Sequence, residues 1–478
     1  GYKPVEADAL VAMGTARFKL AAFDEAKRSL REAVRVGNGA RHDEAALRAW
    51  ALLIDAEGEG RGDFAAAHEH ARDAHSALER IGGHDAYRGA LLRVEANVYY
   101  REGQRDRALA LATEAAACLD RAHGPTALEG VDAQVLLGVL AGEQGQHDRA
   151  RRHHERALAS GEATLGARHP AVAAIVMNLG IVTEKQGRRA EAAEQYSRSL
   201  QLMEEVLGPE HVQVSFPLVN LANLHVAAGQ PSQALPLATR ASSLRRAALG
   251  PRHPLYASAL RAAAGAHARL GDEAEARRAY EEAVSIYDGA RNPRVVEPLL
   301  GLALLEEGQG ALEPARKHLQ AALERALAVH GPSTEEIAHI EAALGRHWLH
   351  RGQPERARRL LERAVATYEA LLGPEHPVLL EPLTAFGEAH LATGRSGDAR
   401  ALLERAVAVG ALPWTDPQAA AGARFALARA IVADEGPSAA ARALAESARS
   451  IWAGAGPRSR RALAAVDRWL SGPGSPRR

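Results

Sequence analysis

The 21 histidines are the first residues to test for chemistry, because an imidazole can ligate a metal or carry a proton near neutral pH. His347 and His350 lie three apart on one helical face, with His339 near that face two turns earlier; this is the best geometric candidate for a metal site. His68 and His75 can share a face while His70 points elsewhere, and the adjacent His153 and His154 diverge. Solvated polar positions on a helix explain the His339, His347 and His350 arrangement more simply, and no metal is expected. His169, His211, His253 and His376 recur within one turn sequence and are expected to serve its geometry or hydrogen bonding. Cys118 is the only cysteine, which excludes a disulfide framework and a cysteine-based zinc site. It falls among Ala and Leu, so a buried, inert thiol is expected; a redox sensor would need an electropositive, exposed setting. The acid pairs Glu204-Glu205 and Glu335-Glu336 read as solvated faces or as first-turn charges favoured by the helix dipole. Gly58-Glu59-Gly60-Arg61-Gly62 is glycine-rich, but it lies in a turn between helices, and a phosphate loop needs a strand before it. The expectation is no catalytic residue, no metal and no cofactor.

Composition narrows what could position such residues. Hydrophobic residues are 47% of the 478, yet aromatics are only 4%. The apolar content is mostly Ala and Leu, which favour helices, and strand formers are sparse; the chain reads as all-α. Lys and Arg (59) balance Asp and Glu (59), so neither a net basic excess nor a basic stripe marks a nucleic-acid binder. No run of 18 apolar residues exists, so no membrane span is expected. The single cysteine fits a reducing compartment, and the expected location is cytoplasmic. The start, Gly-Tyr-Lys-Pro, has no initiator Met and no signal-like stretch, and suggests a piece of a longer polypeptide.

Internal repeats set the organisation. Leu-Gly-Ala-Arg-His-Pro (Leu165–Pro170), Leu-Gly-Pro-Glu-His (Leu207–His211), Leu-Gly-Pro-Arg-His-Pro (Leu249–Pro254) and Leu-Gly-Pro-Glu-His-Pro (Leu372–Pro377) share one linker, and Gly166, Gly208 and Gly250 are 42 apart. Related turns at Gly124, Gly331 and Gly373 keep nearly the same beat. A second series lies half a period away: Gly103, Gly145, Gly187, Gly229 and Gly271 at 42, Gly310 after 39, then Gly352, Gly394 and Gly436 at 42. Five residues after each sits an alanine (Ala108, Ala150, Ala192, Ala234, Ala276, Ala315, Ala357, Ala399, Ala441), and seven further on another, with Ser199 as the exception. Ala26 with Ala33, and Ala67 with Ala74, extend the series backwards to eleven units. Each unit is two amphipathic helices, A and B. The mid-unit Gly ends helix A, small residues on helix B admit close neighbours, and the linker ends helix B with Gly and Pro before the next helix begins.

The spacing of small residue, turn Gly, Ala and Ala, as in Gly138, Gly145, Ala150 and Ala157 or Gly345, Gly352, Ala357 and Ala364, resembles the tetratricopeptide repeat (TPR). The same small residue, Gly turn and Ala pattern decides against HEAT or armadillo repeats of similar period. The 42-residue period and the Leu-Gly-Pro-Glu-His-Pro linker resemble the kinesin-light-chain variety. The resemblance implies a right-handed superhelix, an α-α solenoid of about eleven helical hairpins plus a C-terminal capping helix. The division expected is 1–82 (two hairpins, the second irregular around Asp55–Gly62), 83–455 (regular array, with Asn292-Pro293 in place of His-Pro), 456–470 (capping helix) and 471–478 (disordered tail). Gly1–Leu10, with Leu30-Arg31-Glu32-Ala33-Val34 and Gly39–Glu44, resembles the region after the kinase domain in myxobacterial-type serine/threonine protein kinases. No His-Arg-Asp or Asp-Phe-Gly element is present in these residues, so any kinase domain would lie upstream.

In TPR superhelices the A helices line the concave surface. Positions six and nine residues before each turn Gly then pick out Asn97, Asn178, Asn220 and Asn223, whose amides both donate and accept and can pair with the backbone of an extended peptide. Arg93, Tyr100, Arg261, Arg269 and Arg346 occupy nearby groove positions, and Arg and Tyr are typical interface anchors. The expected function is a non-catalytic scaffold binding a protein or peptide segment, the regulatory or sensor region of a bacterial signalling protein. The Arg261, Arg269 and Arg346 sector suggests an acidic ligand. Self-association as a homodimer is the alternative.

Overall fold

The computed structural model describes residues 2–19, 22–58, 63–329, 333–455 and 459–472. Among them every regular element is helical, 23 α-helices with four short 3-10 turns. The chain divides into two compact units, Gly1–Val182 and Thr183–Arg478, with the boundary inside the ninth helix. Unit 1 contains the hairpins α1 (Lys3–Lys19) with α2 (Phe23–Gly39), α3 (Asp43–Gly58) with α4 (Phe64–Arg80), α5 (Asp85–Arg101) with α6 (Arg105–His123), and α7 (Val131–Glu143) with α8 (His147–Leu165), then most of α9 (Pro170–Lys185). Unit 2 contains α10 (Arg189–Leu207), then α11 (Ser215–Ala227) with α12 (Pro231–Leu249), α13 (Pro254–Leu270) with α14 (Glu273–Gly289), and α15 (Val296–Gly308) with α16 (Leu312–Val329). It continues with α17 (Glu335–His350) and α18 (Pro354–Leu372), α19 (Leu380–Ala392) and α20 (Ser396–Val409), α21 (Pro417–Glu435) and α22 (Ala439–Gly454), and ends on α23 (Arg460–Ser471).

The periodic residues explain this geometry. The glycine between α5 and α6, Gly103, has φ +85°, a left-handed conformation that lets the backbone reverse where a side chain would be strained. The two alanines of each B helix, and Ser199, are fully buried, because neighbouring helices close over them. The A helix is small where the B helix is large. A methyl at Gly301 would stand 2.3 Å from the Tyr280 ring, and one at Gly345 2.5 Å from Leu361, so glycine there is what seats the neighbouring side chain. The apolar core is accordingly a chain of layers between successive hairpins, with no single centre.

The linker histidine has a defined job. His169, His211, His253 and His376 each accept, through Nδ1, the backbone N–H two residues on, at 3.1–3.2 Å, and so cap the next helical turn. At the irregular linkers Asn292 and Asp416 accept through Oδ1 at 3.0 and 2.8 Å. Asn292-Pro293 therefore replaces His-Pro without loss of the cap. Helix α23 buries Val466 and packs Trp469 and Leu470 on the α21–α22 layer, with Trp469 edge-on to Phe425. Cys118 is buried, its thiol pushed up by desolvation and by Asp85 beside it. Residues 59–62 of the glycine-rich turn, the Gly331 turn and the tail from Pro473 lie outside the described residues.

Candidate functional site

Each unit has a cavity walled by its A helices. In unit 1, α1, α3 and α5 enclose about 660 Å³ with an apolar lining that includes Val11, Ala51, Leu52 and Leu91. Arg93 stands at its edge, 3.6 Å from Asp132. Tyr100 donates its hydroxyl to Glu143 at 2.8 Å, and Asn97 and Asn178 are half-buried on α5 and α9.

In unit 2, α11, α13, α15 and α17 enclose about 1490 Å³. Its floor is apolar and small: Val226, Ala262, Gly265, Val296, Leu300 and Leu304. Across it runs a polar chain. Arg261 donates to Asn223 Oδ1 at 3.2 Å and pairs with Glu297 at 2.7 Å. Burial works against the Arg261 charge, but Glu297 and Tyr280 outweigh it and hold the guanidinium above its ordinary range. Arg269 pairs with Asp416 and lies 4.0 Å from Glu381, which also pairs with Arg346. Arg346, and then Arg269, hold the Glu381 carboxyl below the usual range against the cost of burial. Lys185 donates to both oxygens of Glu335 at 2.8 and 2.7 Å. His339 is pushed down by burial and by Arg346, and its Nδ1 is 3.2 Å from the Tyr368 hydroxyl.

The structure thus brings Asn223, Arg261 and Arg269 to one cavity and Arg346 to an adjoining one of about 490 Å³. Asn220 lies half-buried on α11 without lining the cavity. The Arg261, Arg269 and Arg346 sector is not a bare positive field, because Glu297, Glu381 and Asp416 each sit on one of its guanidinium groups. Those carboxylates were not singled out in the sequence. Glu297 and Glu381 were findable: both stand thirteen residues before a turn Gly, one hairpin on from Arg261 and Arg346. Asp416 and Lys185 carried no such signal, since their partners are 147 and 150 residues away. Arg294, Arg460 and Arg461 also line the larger cavity, and none forms an ion pair with a described residue.

The three histidines of the strongest sequence candidate do not share one set of partners, since His339 faces Tyr368 and the other two lie near Glu307. His347 is fully buried with Nδ1 2.9 Å from Glu307, and His350 is 3.9 Å from the same carboxyl. Among the described residues no three His, Cys, Asp or Glu side chains form a group that could hold an ion. Among them, too, no helix is long and apolar enough to cross a membrane.

The tetratricopeptide-repeat family model matches six stretches, 87–163, 131–205, 171–247, 218–289, 294–370 and 343–410. No curated protein matches the chain. Among solved structures it is similar to the apo quorum sensor NprR from B. thuringiensis, at 13% identity over 75% of this chain and 98% of that one, TM-score 0.53. It is also similar to a Rap protein complexed with competence and sporulation factor, at 14% identity over 85% and 99%, TM-score 0.50. A putative kinesin light chain with TPR-like repeats from Podosopora anserina aligns at 22% identity over 44% and 98%, TM-score 0.37.

Proposed function

Because this chain belongs to the tetratricopeptide-repeat family, we propose that it is a scaffold whose unit 2 cavity holds a peptide or protein segment in extended form. The observation that carries this reading is the cavity itself. At about 1490 Å³ it exceeds the roughly 300–1,000 Å³ of ordinary small-molecule sites. Its apolar floor suits side chains, while Asn223 and the Arg261–Glu297 pair offer donors and acceptors to a passing backbone. The Rap structure named above is of a complex with a factor, and the NprR structure is of a quorum sensor, which is consistent with a binding role. Arg294, Arg460 and Arg461 favour an acidic group on the ligand at the cavity mouth.

The cavity reading is tested by placing a photo-crosslinking residue at Leu304, a partly exposed cavity residue, and identifying the captured segment. The affinity of that segment is then measured for N223A and R261A. Each is expected to weaken binding about tenfold, or about 1.4 kcal/mol. Unchanged affinity in both variants would move the site elsewhere.

The parent polypeptide is proposed to be a bacterial signalling protein with this array as its regulatory region, on the strength of the Gly1–Leu10 and Leu30–Val34 resemblance to kinase-associated repeats. Reading the coding sequence upstream of Gly1 tests it, and an open frame without a kinase domain would overturn the kinase form.

A further inference from the structure

The loop between α20 and α21 holds a residue in a costly conformation. Trp414 has φ +59°, a left-handed region that L-residues rarely adopt. Such strain persists where surrounding contacts impose it. Here those contacts come from early in unit 2. Arg189 donates to the Trp414 carbonyl at 3.0 Å, and the His225 ring lies 5.2 Å from the indole. Asp416 caps α21 through one oxygen and takes Arg269 with the other. Gly229 abuts Asp416 so closely that a methyl there would stand 2.7 Å from its carboxylate, and Gly187 abuts Pro377 at the same distance.

These contacts sit on the cavity wall. Arg269 borders the 1490 Å³ cavity and two adjoining ones of about 490 and 210 Å³, and Asp416 lines both of the smaller two. Arg269 keeps 38% of its side chain open, while Asp416 keeps 5%. The Arg269 side chain is therefore open towards the larger cavity, which Asp416 does not line.

We propose that the α20–α21 loop is a latch, and that a carboxylate on an entering ligand releases it by taking Arg269 from Asp416 and joining the adjoining cavities into one channel. Exchanging one carboxylate for another on the same guanidinium conserves charge and hydrogen bonds. Asp416, once displaced, must reach water, because an unpaired buried carboxylate is strongly disfavoured. Swinging the loop outward hydrates it and lets Trp414 leave its strained conformation. The latch rests on the cavity reading of the preceding section for its ligand, but not for its mechanics.

Hydrogen exchange of the full chain, read by mass spectrometry, tests both. Asp416→Asn keeps an acceptor for the α21 cap, as Asn292 does in its own linker, yet loses the charge on Arg269. It is expected to speed exchange about tenfold together at 411–418, 187–190 and 229–232, leaving the Gly103 turn of unit 1 unchanged. Arg269→Gln leaves Asp416 its α21 cap and removes only its charged partner, and is expected to give the same three-segment pattern, which separates latch release from loss of the cap. Faster exchange at 411–418 alone, or none, would overturn the latch. The ligand arm uses hexaglutamate as probe and hexaglutamine as control. Hexaglutamate should reproduce the D416N pattern in the wild type and have no effect in Arg269→Gln. No response in the wild type, or an equal response to hexaglutamine, would overturn release by a carboxylate. If the segment captured at Leu304 still depends on Asn223 and Arg261 while D416N changes nothing, the latch fails and the cavity reading stands; the converse result separates them the other way.

Discussion

Units 1 and 2 are built from the same repeat, yet each is tied together differently within itself. In unit 1 side-chain bonds run between neighbouring hairpins, as from Tyr100 to Glu143, 43 residues on. In unit 2 they also reach 147, 150 and 225 residues, through Arg269–Asp416, Lys185–Glu335 and Arg189–Trp414. A solenoid with nearest-neighbour contacts alone has a stability that sums over repeats and their interfaces. Contacts that skip several hairpins add terms which no single repeat can lose alone. The same difference marks the cavities: the unit 1 lining is mainly apolar, and the unit 2 cavity is crossed by paired charges.

The comparison is broken or kept most clearly by equivalent turn glycines. Gly103 and Gly187 both have positive φ, +85° and +77°. A methyl at Gly103 meets open space, so G103A should cost only the backbone strain, about 1–2 kcal/mol. A methyl at Gly187 would stand 2.7 Å from Pro377 Cδ and 3.2 Å from the His376 ring, and a proline ring has little freedom to yield. G187A should add overpacking and cost about 3 kcal/mol in all. Urea denaturation of the full chain measures both. Equal costs would mean that the contact at Gly187 yields freely and that unit 2 gains little from closing on itself.

Two groups in unit 2 should give opposite pH dependence. Burial, with Arg189 beside it, holds the His376 imidazole down at about 4, from an ordinary 6.5. Unfolding frees it to take a proton, so its contribution is fully present above pH 6.5 and is lost as pH falls towards 4. Burial pushes the Glu307 carboxyl up to about 7, from 4.5, opposed by Arg346. The folded state binds that proton more readily, so this contribution is fully present below pH 4.5 and is lost as pH rises through 7. Neutral Glu307 then donates to His347 Nδ1, at 2.9 Å. H376N keeps a side-chain acceptor for the cap and should flatten the acid limb by about 2 kcal/mol. E307Q keeps a donor for His347 and should stabilise the chain at pH 8 by about the same amount. Chemical denaturation at pH 4.5, 6.5 and 8 reads both. An unchanged acid limb in H376N would show that His376 titrates freely in the fold.

How far the sequence carried depended on the range of each interaction. Turn glycines, B-helix alanines and linker histidines act within one hairpin or between neighbours, so a 42-residue period exposes them. The groove asparagines followed from the same count, and Asn223 lines the cavity while Asn220, three residues earlier, does not. Their helix is the same; only its rotation separates them, and position counting does not resolve rotation that finely. Glu297 and Glu381 were within reach of the period, but pairing them with Arg261 and Arg346 required comparing adjacent hairpins. Asp416 and Trp414 were out of reach. Their partners lie several hairpins back, and how an array curves back on itself depends on small packing rotations summed over many interfaces.

The finest distinction lies between two weak bonds. Tyr100 to Glu143 in unit 1 and Lys185 to Glu335 in unit 2 are both partly exposed. Glu143 keeps a second partner, Arg105 at 2.7 Å, and the Lys185 pair is 45% and 39% open to solvent. Tyr100→Phe and Lys185→Met should therefore each cost only about 0.5 kcal/mol in global stability. Their footprints should differ. Hydrogen exchange in Y100F should quicken around α5 to α8 alone, since each hairpin there is coupled to the next. In K185M it should quicken both at 183–190 and at 333–340, with the intervening hairpins unchanged. A K185M footprint confined to its own hairpin would mean that the long-range contacts of unit 2 carry no coupling, and that the two units differ in geometry but not in cooperativity.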